Sequence, residues 1–118
     1  MKKTMIAALT VVLAGSHALA HAHLTGATPA NKAVVTAAPA ALALMFSEDV
    51  ALKFTGVTVT GPDGAPVATG AATLDPKDSS KLAIPLTGKL GAGAYKIVWH
   101  ALSADGHKTH GTYMFTVK

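Results

Sequence analysis

The sequence predicts an all-β sandwich of roughly seven short strands. Three observations carry this reading. Apolar residues alternate with small or polar ones in several runs, as in "ALALMF" and "YKIVW". Turn formers such as "GPDG" and "DPKDS" punctuate those runs at short intervals. No stretch sustains the 3.6-residue apolar period that a core-facing helix needs.

In chain order, residues 1–20 read as a secretory signal peptide: Lys2 and Lys3, an apolar run from Met5 to Ala14, and a small-residue tail ending Ala18-Leu19-Ala20. That run is shorter than the roughly 20 apolar residues of a membrane span. Cleavage after Ala20 leaves residues 21–118, one small exported domain. Ala20-His21-Ala22 also offers small residues to the peptidase, so a cut after Ala22 stays open. The alanine-rich piece "NKAVVTAAPAALAL" is interrupted by Pro39 and carries β-branched Val34, Val35 and Thr36, which predicts an extended lead-in strand followed by a loop.

"ALALMFSE" (41–48) sets Leu42, Leu44 and Phe46 against Ala43, Met45 and Ser47, the period of a half-buried strand. "FTGVTVTG" (54–61) does so with Val57 and Val59, then meets a turn in which Pro62 presets one dihedral and Gly64 accepts a positive φ. "PVATGAATL" and "SKLAIPL" are weaker strand candidates separated by "DPKDS". "GAGAYKIVWHALS" (91–103) points Tyr95, Ile97 and Trp99 one way, and "GTYMFTVK" closes with Tyr113, Phe115 and Val117 on one face. With so few aromatics, Phe46, Tyr95, Trp99 and Phe115 are expected in the core rather than in a ligand groove.

Composition narrows the chemistry. There is no cysteine, so thiolates are excluded as ligands or nucleophiles and no disulfide supports the core. Without Lys2 and Lys3 the domain keeps eight lysines, scattered singly, and no arginine, against six carboxylates. A nucleic-acid surface would cluster its cations among aromatics, so no nucleic-acid partner is expected. Glu48 and Asp49 are adjacent, and neighbours on a strand face opposite ways, which argues against a paired acid and base. No phosphate-binding glycine loop or nucleophile triad is present.

Five histidines follow the leader: His21, His23, His100, His107 and His110. If the cut falls after Ala20, His21 acquires a free α-amine beside its imidazole. An α-amine has a pKa of about 7.7 to 8.0, so a divalent metal displaces its proton near neutrality. Amine and ring Nδ1 then close a chelate, and nitrogen ligands in tetragonal array favour Cu(II). Asp105 and His107 of "SADGHKTHG" stand two apart around Gly106, which in extended backbone projects both to one face. Amine, two imidazoles and a carboxylate make a Cu(II) set, although Asp-x-His alone also suits a turn aspartate before a surface histidine.

His23 is a further candidate ligand, through an N-terminal X-X-His chelate, against a plain surface role. His100 follows Trp99 in the alternation and is read as surface polar. His110 lies an odd three residues beyond His107 and is expected on the opposite face, toward solvent.

Residues His21, Leu24, Pro29 and Ala30, "FSEDV" (46–50), "LKFTGVTVTGPDG" (52–64) and "GAYKIVWHALSADGHKTHGTYMFTVK" (93–118) together resemble the CopC family of periplasmic copper-binding proteins over essentially the whole mature chain. The resemblance implies a Greek-key β-sandwich of the cupredoxin-like or immunoglobulin-like kind with seven to nine short strands. It implies one Cu(II) per chain on His21 (amine and imidazole), Asp105 and His107. It also implies a periplasmic carrier, buffer or chaperone in copper homeostasis and resistance rather than an enzyme, a monomer, and a separate inner-membrane copper importer of the CopD type as partner. Members that hold Cu(I) use a methionine-rich loop. Here only Met45 and Met114 follow the leader, so a Cu(II)-only member is expected.

A different reading starts from the same chelate, since lytic polysaccharide monooxygenases also grip copper through an N-terminal histidine and a second imidazole. Those enzymes need open coordination positions and a broad substrate surface, which Asp105 and a domain with one Trp disfavour. A metal-free adhesion or assembly module is the third reading.

Overall fold

The structure is a computed structural model that describes residues 21–118; the expected signal segment, 1–20, lies outside them. Among the described residues nine strands occur: β1 (Leu24–Thr28), β2 (Val34–Val35), β3 (Ala41–Phe46), β4 (Gly56–Thr60), β5 (Pro66–Val67), β6 (Thr73–Asp75), β7 (Asp78–Pro85), β8 (Gly93–Leu102) and β9 (Lys108–Val117), with a 3-10 turn at Leu52–Phe54. They form two sheets, ordered β1-β3-β7-β6 and β2-β9-β8-β4-β5. Every pairing is antiparallel except β2 with β9. The chain passes repeatedly between sheets, so consecutive strands often lie in opposite layers, the sandwich that the alternation predicts.

The inward positions are those the period-two pattern names. Leu42, Leu44 and Phe46 of β3, with Leu82 and Ile84 of β7, face Val59 of β4, Tyr95, Ile97 and Trp99 of β8, and Tyr113, Phe115 and Val117 of β9, all buried. Full burial of such a side chain contributes about 1.5–3 kcal/mol, so this one layer carries the domain without a disulfide. Phe46 meets Trp99 edge-on at 5.5 Å between centroids, and Tyr95 meets Phe115 likewise at 5.4 Å. Gly64 takes the positive φ expected of the "GPDG" turn, at 83°.

Three elements differ from expectation. β1 is not legible from alternation, because Leu24–Thr28 holds one large apolar residue and Gly26, and it forms only as the edge strand paired with β3. "DPKDS" is mostly not a separator: β7 starts at Asp78, and only Pro76 and Lys77 turn between β6 and β7. Glu48 and Asp49 sit in a bend after β3, not in a strand. Among the described residues, no helix is long and apolar enough to cross a membrane.

Candidate metal centre

The site is assembled at one end of the sandwich from two segments that the sequence keeps far apart, the tail before β1 and the turn between β8 and β9. Four hydrogen bonds hold the tail. His23 N–H donates to Ser47 Oγ at 2.8 Å, Ser47 N–H donates to the His23 carbonyl at 2.8 Å, and Ser47 Oγ donates to the His21 carbonyl at 3.2 Å. Thr109 Oγ1, from β9, donates to the Ala22 carbonyl at 2.8 Å. Ala22 is completely buried between them. A small residue here lets the backbone sink into the sheet interface while the His21 and His23 side chains remain outside.

The second segment is a turn organised by Ser103, which is itself buried. Ser103 N–H donates to the His107 carbonyl at 2.8 Å, and His107 N–H donates to Ser103 Oγ at 3.1 Å. The Ser103 hydroxyl donates to Asp105 Oδ1. Ala104 N–H donates to the Asp49 carbonyl at 3.0 Å, tying the turn to the bend after β3. Gly106 lies at φ 94°, a left-handed conformation that a side chain would strain. Asp105 and His107 therefore meet through a tight turn, not through the extended backbone that their two-residue spacing suggests. The reason is local: a buried hydroxyl offers the turn a hydrogen-bonding centre that a strand would not use.

The two segments meet at their side chains. The His21 and His107 rings stack with centroids 4.6 Å apart and 20° between planes. His107 Nδ1 lies 3.1 Å from Asp105 Oδ1, with both side chains partly exposed, at 49% and 39%. The Ser103 hydrogen bond first, and His107 second, hold the Asp105 carboxyl below its ordinary range, so it is an anion available to a cation or to an imidazolium. The His23 ring stands 6.4 Å from that of His21.

All three predicted ligands, His21, Asp105 and His107, are thus neighbours, and His23 is adjacent. They do not form a closed cage, and among the described residues no group of three His, Asp or Glu converges as metal ligands. The physical cause is the stack. Imidazole lone pairs lie in the ring plane, so parallel rings point their nitrogens past each other, and one ring must turn for both to reach a single ion. Both side chains are at least partly exposed, so either ring has room to turn.

His100 and His110 are exposed on the outer face of the second sheet, as the alternation predicts. Met45 and Met114 occupy strands β3 and β9 in different sheets and sit out of step with the buried positions, hence on opposite outer faces. Ser47, Ser103 and Thr109, the hydroxyls that hold the site, carry no signal in the sequence beyond the "FSEDV" and "SADGHKTHG" strings around them.

Comparison with known proteins agrees with this architecture. A CopC domain matches residues 24–118. Protein YobA of Escherichia coli strain K12 is 45% identical over 113 residues, which are 96% of this chain and 91% of the relative. Copper resistance protein C of Pseudomonas syringae pv. tomato is 35% identical, over 91% of this chain and 88% of that protein. Among solved structures, CopC from Methylosinus trichosporium OB3b superposes with a TM-score of 0.76 at 28% identity, covering 83% of this chain and 94% of that one. PcoC, a methionine-rich copper resistance protein from Escherichia coli, superposes with a TM-score of 0.74 at 36% identity, covering 84% and 100%.

Proposed function

The chain belongs to the CopC family, and on that premise we propose that it is a copper-binding protein of copper resistance whose mature form, residues 21–118, holds one Cu(II) in the periplasm. The ligands are the α-amine and imidazole of His21, exposed by removal of residues 1–20, with His107 and Asp105. The observation that carries this reading is the His21 ring lying against His107 while Asp105 contacts Nδ1 of the same imidazole. Three nitrogens and an anionic oxygen suit a tetragonal Cu(II) centre.

His23 is a neighbour of the ion rather than part of an X-X-His wrap. That wrap deprotonates and bends the backbone of the second and third residues, whereas here the His23 N–H and the Ala22 carbonyl are hydrogen-bonded to Ser47 and Thr109. The chain is a Cu(II)-only member, because thioether ligands select Cu(I) and its two described methionines lie on opposite outer faces. A partly exposed ring on the tail and another on an exposed turn suit an ion that is loaded and given up, as in a monomeric carrier or buffer, and such a role calls for a separate inner-membrane copper importer.

Intact mass of the exported protein, with and without Cu(II), tests the reading. The expected result is a chain beginning at His21 that gains one copper when supplied with one equivalent of Cu(II). His107→Ala is expected to weaken Cu(II) binding by about a hundredfold, since losing even an outer-shell partner of a metal ligand costs roughly 10–100-fold. A chain beginning at His23, or affinity unchanged in His107→Ala, refutes the assignment. Oxidised products from a polysaccharide incubated with the copper protein and a reductant would replace the carrier with an oxidative enzyme.

A further inference from the structure

We infer that His100 and His110 form a second, weaker site for a divalent, nitrogen-preferring metal ion on the outer face of the second sheet, independent of the centre at His21 and His107.

The register places the two residues directly opposite each other on β8 and β9, within a ladder that runs without interruption from Gly93↔Val117 to Leu102↔Lys108. Their side chains share a face, because their neighbours Trp99 and Ala101 are buried and both histidines are exposed. The edge bonds of β9 give the kind of pair. Met114 N–H donates to Asn31 Oδ1 and its carbonyl accepts from Lys32 N–H, while Thr116 N–H donates to the Ala33 carbonyl. Even-numbered residues of β9 therefore turn their backbone groups away from β8. His110 shares that parity, so His100 and His110 are a non-hydrogen-bonded pair, the closer of the two antiparallel classes, with Cα atoms about 4.5 Å apart.

That spacing suits chelation. Two imidazole nitrogens bound at about 2.0–2.1 Å to one ion lie roughly 3 Å apart, within reach of rings rooted on facing residues of a rigid ladder. The His100 ring now leans over Gly56 of β4, where a Cβ would stand only 3.4 Å from its Cε1. With no side chain at Gly56 to hold it, the ring has room to swing toward His110. Both rings border a shallow depression of about 410 Å³ whose rim includes Lys53 and Lys108. Those two ammonium groups and the lack of a lining carboxylate set the affinity below that of the first centre, so this site fills second, with water completing the coordination.

His110 also borders the neighbouring groove that contains His23, whose ring is 6.4 Å from His21. The groove that His110 and His23 both line therefore runs between the two sites.

Cu(II) titration of the exported protein, followed by calorimetry and native mass spectrometry, tests the site. Expected are two binding steps, with the weaker step reduced about tenfold or more in His100→Ala and in His110→Ala while the stronger step and the melting temperature stay unchanged. In His107→Ala the stronger step weakens by about a hundredfold and the weaker one is unchanged. A single step in the unaltered protein, or a weaker step unaffected by either His100→Ala or His110→Ala, overturns the inference. An unchanged stronger step in His107→Ala instead overturns the proposed first centre and leaves the second standing, so the two failures are distinguishable. His100→Gln with His110→Gln repeats the test with side chains that keep polarity and volume.

Discussion

At the scale of single residues, Ser103 is the side chain on which the site depends most, though it cannot itself bind the metal. Its hydroxyl is the first cause of the low Asp105 pKa and the acceptor for His107 N–H. Ser103→Ala should raise the Asp105 pKa back toward the ordinary carboxylate value, measurable by carbon-detected NMR titration. The sign follows from linkage. A carboxyl whose folded pKa is depressed contributes stability that is complete above the unfolded value and is lost as pH falls through the folded one. The unaltered turn should therefore stay ordered into more acidic solution than Ser103→Ala, and Cu(II) retained by Asp105 should be released at higher pH in the variant. Equal titration curves for the two proteins would remove Ser103 from this role. Tyr113 offers a contrast. Its hydroxyl is buried with no hydrogen-bond partner, and burial pushes its pKa up to about 12. An unmade buried hydrogen bond costs about 1–3 kcal/mol, so Tyr113→Phe is expected to be neutral or to stabilise by up to about 1 kcal/mol in chemical denaturation, with copper binding unaffected.

At the scale of elements, the long β8–β9 hairpin is the scaffold, and its packing depends on one missing side chain. Gly111 lies inward beneath Trp99, where a Cβ would come within 2.7 Å of Cζ2 and 2.9 Å of Nε1. Gly111→Ala must push the indole from its edge-on contact with Phe46 or bend β9 beside the site. The expected cost is about 1–3 kcal/mol by overpacking, with a shift in Trp fluorescence. An unchanged emission spectrum and melting temperature would show that the indole has slack. The same hairpin marks how far the sequence can be read. β3, β8 and β9 alternate strictly, so Leu42, Leu44, Ile97 and Phe115 announce both strand and face. β1 does not, because an edge strand with Gly26 at its centre has little apolar pattern, and its identity comes from pairing with β3. The site divides the same way. His21, Asp105 and His107 are legible as types and spacings, but the turn that joins Asp105 to His107 is not, since the two-residue interval reads equally well as strand. The contact between His21 and His107 spans 86 residues of chain; their residue types allow it as one Cu(II) set, and the resemblance to CopC adds the weight that spacing alone lacks.

At the scale of the whole molecule, the tail carrying His21 leads into the first sheet and the turn carrying His107 closes the second, so an ion bound to both fastens one layer to the other. A ligand bound only by the native state stabilises it by about 2.7 kcal/mol at a hundred times its dissociation constant. For a domain of this size each kcal/mol raises the melting temperature by roughly 4–8 °C, so Cu(II) should raise it by roughly 10–20 °C. This rise should depend on where the chain begins. A form starting at Ala20 keeps every side chain of the site and its hydrogen bonds to Ser47 and Thr109, but its amine is one residue too far to close the six-membered chelate with the His21 ring. It is expected to bind Cu(II) at least about tenfold more weakly and to show a correspondingly smaller thermal shift, while melting at the same temperature without copper. Equal affinity in the two forms would mean that imidazoles and Asp105 alone hold the ion. A weaker but measurable affinity would mean that the leader peptidase completes the ligand set, so that the precursor, still carrying its signal, cannot hold copper as the exported protein does.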